Sequence, residues 1–125
     1  MQEQTLDHWS AAQQKCWTHV ETSTQMMKTL DALKGLHVTS VIPILSDTTP
    51  TILLTPDNAD DLVAVKATCR FITAALGHTD IKFEDGVWER LPINDEWVLR
   101  LRLFNRVLID VMTRLPATKE SPIEV

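Results

Sequence analysis

The spacing of apolar residues changes its period along this chain, and this change restricts the fold to a mixture of helices and strands. In residues 3–34 apolar side chains recur every three or four positions, which predicts helix. Residues 37–45 and 51–54 are instead β-branched and apolar, and turn-forming residues occupy positions 46–50 between them. This arrangement predicts a hairpin, with Pro43 on an edge strand or at a bulge.

The first helical segment carries a second start signal in its middle. Thr22 and Gln25 have capping-box spacing, which predicts either two helices or one helix with a bend near residues 21–24. Gly35 is the residue type expected just after a helix C-terminus. The sequence therefore predicts that the segment is helical and ends before Gly35, and it leaves open whether the helix is continuous.

The dipeptide Asp85-Gly86 is the strongest short hairpin signal in the chain. Two residues between alternating strands require a type I′ turn, in which both residues have positive φ. In that register Phe83 faces Trp88 across the ladder. The sequence therefore predicts a second hairpin, centred on this dipeptide.

Two further helices are predicted from their apolar stripes and start signals. Thr55 and Pro56 have the types expected at the N-cap and first position of a helix. The buried stripe of that helix is predicted to be Leu62, Val65, Cys69, Ile72 and Leu76. A last helix over residues 97–115 follows the expected cap Asn94, and its apolar residues occupy more than one side. We therefore expect this last helix to be the centre of the fold.

These elements together predict an α+β fold with the order α-β-β-α-β-β-α. The expected sheet is small and antiparallel, is made of the two hairpins, and has the helices packed on it. A single domain is expected over residues 1–115, followed by a polar C-terminal tail over residues 116–125.

Charge and the first residues restrict the class of protein and its location. The chain has 125 residues and a net charge of −5, which disfavours binding to nucleic acid or to anionic membranes. Residues 1–7 have neither the basic nor the apolar region of an export signal, and no apolar run approaches the roughly 20 residues of a membrane span. We therefore expect a cytoplasmic protein in which Cys16 and Cys69 are buried thiols.

The residue types that usually build catalytic, cofactor or metal sites have structural interpretations here. The three glycines are assigned to helix ends and a turn, which leaves none for a phosphate-binding loop. Cys16 and His19 alone have metal-ligand spacing on the first helix, and a structural zinc needs four ligands. Asp57, Asp60 and Asp61 are carboxylates that a helix N-terminus favours, with a cation site as the alternative. We therefore expect no enzymatic activity, no cofactor and no metal.

Four tryptophans and the apolar surplus of the last predicted helix indicate an interface, because Trp and Arg are enriched where proteins bind each other. The predicted interface residues are Trp9, Trp17, Leu99, Leu103, Arg102 and Arg106. The expected partner is another protein, with a second copy of the chain, as a homodimer, as the alternative.

The function that fits these expectations is a non-catalytic protein-binding accessory factor of bacterial or viral origin. In its favoured form it is an inhibitor or immunity-type protein that binds and masks a target protein. The chain also resembles class I secretion chaperones in size, acidity and broad α/β order, which implies a dimeric acidic cargo chaperone. A structural subunit of a viral or other assembly is a third alternative.

Overall fold

The structure, a computed structural model, describes residues 8–13, 20–45, 49–91, 95–104 and 106–116. At residues 20–23 and 91 it describes the backbone alone. The predictions for Cys16, Trp17, His19 and the Asn94 cap lie outside the described residues.

Five strands form one mixed sheet with helices in the same domain. The elements in chain order are α1 (residues 8–13), α2 (Val20–Ala32), β1 (Val38–Ile44), β2 (Thr51–Pro56), α3 (Leu62–Gly77), β3 (Val87–Leu91), β4 (Glu96–Arg102) and β5 (Leu108–Pro116). The strand order across the sheet is β1-β2-β5-β4-β3, and every pairing is antiparallel except that of β2 with β5. The α+β class is confirmed, whereas a purely antiparallel sheet of two hairpins is wrong.

The predicted first hairpin is confirmed. β1 pairs with β2 in antiparallel register, with Pro43 opposite Ile52 and Ile42 opposite Leu53. β1 lies at one edge of the sheet, as predicted for a strand that contains proline. The β-branched composition of both segments and the turn residues between them specify this pairing locally, which is why the sequence revealed it.

The chain upstream of this hairpin is helical as predicted. Residues 8–13 and Val20–Ala32 are helical, and residues 21–24 lie within α2. Whether α1 and α2 are continuous concerns residues 14–19, which lie outside the described part. Of the predicted tail, Pro116 is the last residue of β5, and residues 117–125 lie outside the described part.

The third helix starts six residues later than predicted. Pro56 is the last residue of β2, where it pairs with Val38, so Thr55 and Pro56 do not begin a helix. The chain then turns through Asn58, whose φ is 61°, and the Asp61 carboxylate accepts a hydrogen bond of 3.0 Å from the Val63 N–H. Asp61 is therefore the N-cap of α3, because its side chain satisfies a backbone donor that the helix leaves free.

The hairpin prediction at Asp85-Gly86 is wrong. Trp88 pairs with Leu99 of β4 and Phe83 pairs with Leu103, so Phe83 and Trp88 lie along one edge of the sheet and do not face each other. Gly86 does not have a positive φ. A Cβ at Gly86 would meet the Leu99 Cδ1 at 3.0 Å, so the glycine permits close packing against β4 and does not form a turn.

The predicted helix over residues 97–115 is wrong, because this segment forms β4, a tight turn and β5. Leu99 and Leu101 alternate with Arg100 and Arg102, and this period of two places leucines inside and arginines outside. β5 then pairs with β4 on one side and with β2 on the other. Pairing on both sides explains the abundance of apolar residues, which the helix prediction attributed to a helix covered on two sides.

The core lies between the helices and one face of the sheet. The buried residues of α3 are Val65, Thr68, Cys69, Ile72 and Leu76, which confirms the predicted stripe apart from half-buried Leu62. The sheet contributes the fully buried residues Ile52, Leu54, Leu99, Leu101, Ile109 and Val111. Cys69 is buried, as predicted for this thiol. Its burial raises the pKa of the thiol.

We expect Gly86→Ala to lower the free energy of unfolding by about 1–3 kcal/mol, because the new methyl group overpacks the contact with Leu99. Gly77→Ala is the matched control. A Cβ at Gly77 meets nothing within 4 Å, and Ala is favoured over Gly in a helix by about 0.5–1 kcal/mol. Urea unfolding of the two variants measures the difference, and equal stability would contradict the close packing at Gly86.

Candidate functional site

The turn between β4 and β5 holds a large apolar side chain in solvent. Phe104 follows the end of β4 and is 64% exposed. The Leu103 N–H donates to the Val107 carbonyl at 2.9 Å, and the Arg106 N–H donates to the Leu103 carbonyl at 3.1 Å. Arg106 has a φ of 72°. Phe104 is therefore exposed beside backbone groups that are hydrogen-bonded to each other.

A short extended segment lies beside this turn and fixes it to the body of the domain. The Phe104 N–H donates to the Lys82 carbonyl at 2.8 Å, and the Glu84 N–H donates to the Arg102 carbonyl at 2.9 Å. Between these two bonds, Phe83 pairs with Leu103. Residues 82–84 thus continue the sheet edge formed by β3, on the same side of β4.

Two cavities meet at Phe104, and we call them together the Phe104 groove. One has a volume of about 410 Å³ and reaches α2, where Thr24, Gln25 and Lys28 line it. The other has a volume of about 460 Å³ and reaches the end of α3, where Leu76, Gly77 and Thr79 line it. Both are lined by Asp80, Ile81, Lys82 and Phe104.

The groove has a cationic rim. The Lys28 ammonium lies 2.5 Å from the Asp80 carboxylate and joins α2 to the segment after α3. This hydrogen bond, together with the lysine's charge, lowers the pKa of Asp80. Lys82, which lines both cavities, and Arg106, which lines neither, are exposed and form no ion pair with a described residue. The groove therefore combines an apolar wall with one lysine that no described carboxylate pairs.

The face of the sheet opposite the helices, which we call the outer face, carries an internal ion-pair cluster. Arg100 donates to both Asp110 carboxylate oxygens, at 2.7 and 2.8 Å, and lies 3.1 Å from the Glu89 carboxylate. The hydrogen bonds to Asp110 are the main cause that raises the pKa of Arg100. The Asp110 side chain is only 4% exposed. Because these charges satisfy each other, the cluster is a structural feature and not a free binding site.

The structure buries three of the predicted interface residues and leaves two exposed. Trp9 is 1% exposed and its Nε1 donates to the Leu36 carbonyl at 3.2 Å, while Leu99 and Leu103 belong to the core. Leu99 and Leu103 were predicted for the surface from a helix that does not exist, and Trp9 was predicted from the first helix, which does exist and buries it. Arg102 and Arg106 are exposed, and the Arg102 guanidinium lies 3.6 Å from the Glu89 carboxylate of the outer-face cluster. Their place in the predicted interface stays a prediction.

The sequence did not predict two residues of the Phe104 groove, Phe104 itself and Lys82. Phe104 lay on the apolar side of the predicted last helix, so its side chain was expected in the core. The signal that identifies it is the alternation of leucine and arginine over residues 99–103, which ends at Phe104 and Asn105. Asn is a common turn residue, so this end of the alternation marks a hairpin turn.

Two of the three carboxylates considered for a cation site have structural roles. Asp61 caps α3, and Asp57 Oδ1 accepts a hydrogen bond of 3.0 Å from the Thr39 hydroxyl. Within the described residues, no group of three or more His, Cys, Asp or Glu side chains is placed to hold a metal ion. Among the helices that the structure describes, none is long and apolar enough to cross a membrane. Nothing among protein-family models, curated proteins or solved structures matches this chain.

We expect Asp110→Ala to lower the free energy of unfolding by about 1–3 kcal/mol, because Arg100 loses its two shortest hydrogen bonds while its side chain stays mostly buried. Asp31→Ala removes an exposed ion pair with Lys34 and should cost at most about 0.5 kcal/mol. Chemical unfolding of both variants gives the comparison. A cost for Asp110→Ala no larger than that for Asp31→Ala would show that the cluster does not stabilise the sheet.

Proposed function

We propose that this chain is a non-catalytic protein-binding factor that binds and masks a target protein through the Phe104 groove. The observation that supports this most is the 64% exposure of Phe104 between two cavities. An exposed aromatic side chain whose own N–H is already bonded to the Lys82 carbonyl is suited to anchor an interface. Its energetic contribution comes from covering the ring with apolar groups of the partner, which removes it from water.

The charge on the groove supports the same proposal and restricts the partner. The chain as a whole has a net charge of −5, yet Lys82 lines the groove together with Phe104, and the exposed Arg106 follows Phe104 by two positions in the chain. Complementary charge increases association rate and selects among partners. We propose that the target carries acidic side chains next to the apolar part that covers Phe104, and that the encounter takes place in the cytoplasm.

A dimeric cargo chaperone is the second proposal, and a different surface favours it. Ile42 and Ile44 of the edge strand β1 are 45% and 44% exposed, and Ile42 lies beside half-buried Leu53 on the outer face. An apolar edge of this kind is a site where a second copy packs. Light scattering distinguishes the proposals, since a stable dimer in the absence of any partner favours the chaperone.

We expect Phe104→Ala to weaken binding of the target by at least about tenfold, the range of an interface hot spot. Wild-type and variant chains serve as baits for capture from a lysate of the native host, and dissociation constants are then measured with each purified candidate. Val63→Ala is the matched control, since Val63 is 70% exposed on the first turn of α3, at the opposite end of that helix from the groove. A captured protein that binds wild type and Phe104→Ala equally well would contradict the proposal.

A further inference from the structure

Phe83, on the wall of the groove, has backbone groups that no described residue satisfies. The Lys82 carbonyl and the Glu84 N–H are bonded towards β4. In an antiparallel ladder the residue between two such bonds directs its own N–H and carbonyl to the opposite side. The N–H and carbonyl of Phe83 therefore point away from β4, and no described group donates to them or accepts from them.

This pair of groups lies at a sheet edge and beside a cavity. β3 is the last strand of the sheet, and residues 82–84 continue its line. Phe83 itself lines the cavity of about 460 Å³ that extends to Leu76 and Gly77. An unpaired edge next to a pocket is the arrangement by which extended peptides are bound: backbone bonds hold the peptide and the pocket receives one side chain.

We propose that the target segment bound in the Phe104 groove is extended and adds as a strand to the backbone of Phe83. This inference rests on the proposed function and names the conformation of the partner. A helix in the groove has its own backbone groups bonded internally, so it would cover the Phe83 N–H and carbonyl without satisfying them. Burying both groups unpaired opposes binding, whereas a strand bonds to both.

The charges around this edge define the composition of the segment. Lys82 is exposed, precedes Phe83 in the chain and lies across from Phe104, whose N–H bonds to its carbonyl. Lys28 is already paired with Asp80, which leaves Lys82 as the lysine free to pair with a partner in the part of the groove that the structure describes. The segment therefore carries one large apolar side chain for the groove and an Asp or Glu within two residues of it, next to Lys82.

The test uses a probe obtained without knowledge of the target. Peptides of twelve random residues displayed on phage are selected on the full wild-type chain and counter-selected on Phe104→Ala. We expect the selected sequences to share a large apolar residue with an Asp or Glu no more than two positions away. Selected sequences without an acidic residue near the apolar one would overturn the proposed composition.

Amide hydrogen exchange of the chain, followed by NMR with and without a synthetic copy of the best peptide, tests the strand. We expect exchange of the Phe83 amide to slow at least tenfold at saturation, because it gains a hydrogen bond. The Glu84 amide is the internal control, since it is already bonded to the Arg102 carbonyl and should change less than twofold. Phe104-dependent binding without slower exchange at Phe83 overturns strand addition and leaves the proposed function intact.

A charge reversal completes the design. Lys82→Glu should weaken peptide binding at least tenfold, while Lys66→Glu on α3, away from the groove, should change it less than twofold. Equal affinities for the two variants overturn the assigned role of Lys82. If the selection yields no peptide that binds wild type more tightly than Phe104→Ala, both the strand addition and the proposed function fail, and this outcome is separate from a failure of the strand alone.

Discussion

Parallel pairing between β2 and β5 is the constraint on which the rest of the structure depends. Thr51 pairs with Leu108 and Leu54 with Val111, which joins the first hairpin to the last part of the chain. Between these strands the chain passes through α3 and crosses to the far edge of the sheet at β3. It returns through β4, which pairs antiparallel with both β3 and β5. Residues of β2 and β5 that face the helices, such as Ile52 and Ile109, are fully buried. Burial of these apolar side chains stabilises the pairing of β2 with β5. It offsets the entropy lost when the chain closes the long loop between the two strands.

The candidate binding surface follows from this topology. Because β5 runs parallel to β2, the turn that precedes β5 lies at the end of the sheet where β2 begins. α3 starts after β2 ends and runs back, so its last residues, Leu76 and Gly77, reach the same end of the sheet as Phe104. The groove is thus formed where a helix C-terminus, an edge segment and a hairpin turn meet. None of these three elements forms it alone.

Local signals predicted the elements whose partners are close in sequence. The β1–β2 hairpin and the buried stripe of α3 are specified by residues within their own segments, and the structure confirms both. Residues 97–115 are rich enough in apolar side chains to satisfy a helical period and a period of two at once. Pairing with β2 decides between the two, and no local pattern reports that pairing.

The remaining errors have the same physical origin. Asp85-Gly86 is a strong turn signal, but both neighbouring segments pair with β4 and the glycine is required by close contact with Leu99. At the candidate site, Arg102 and Arg106 were predicted because arginine is common at interfaces. Phe104 was not predicted, because its exposure depends on the turn that a helix prediction removes. The part of the site that depends on residue type could therefore be predicted from the sequence, and the part that depends on topology could not.

Nuclear Overhauser contacts of the backbone test the central pairing most directly. Parallel pairing of β2 with β5 predicts contacts between the backbone protons of Ile52 and Ile109, and of Leu54 and Val111. It also predicts strong contacts from each Cα proton to the next amide proton along β4 and β5, with weak contacts between successive amides. A continuous series of amide-to-amide contacts from residue 97 to residue 115, with none between Ile52 and Ile109, would contradict the fold and the groove that depends on it.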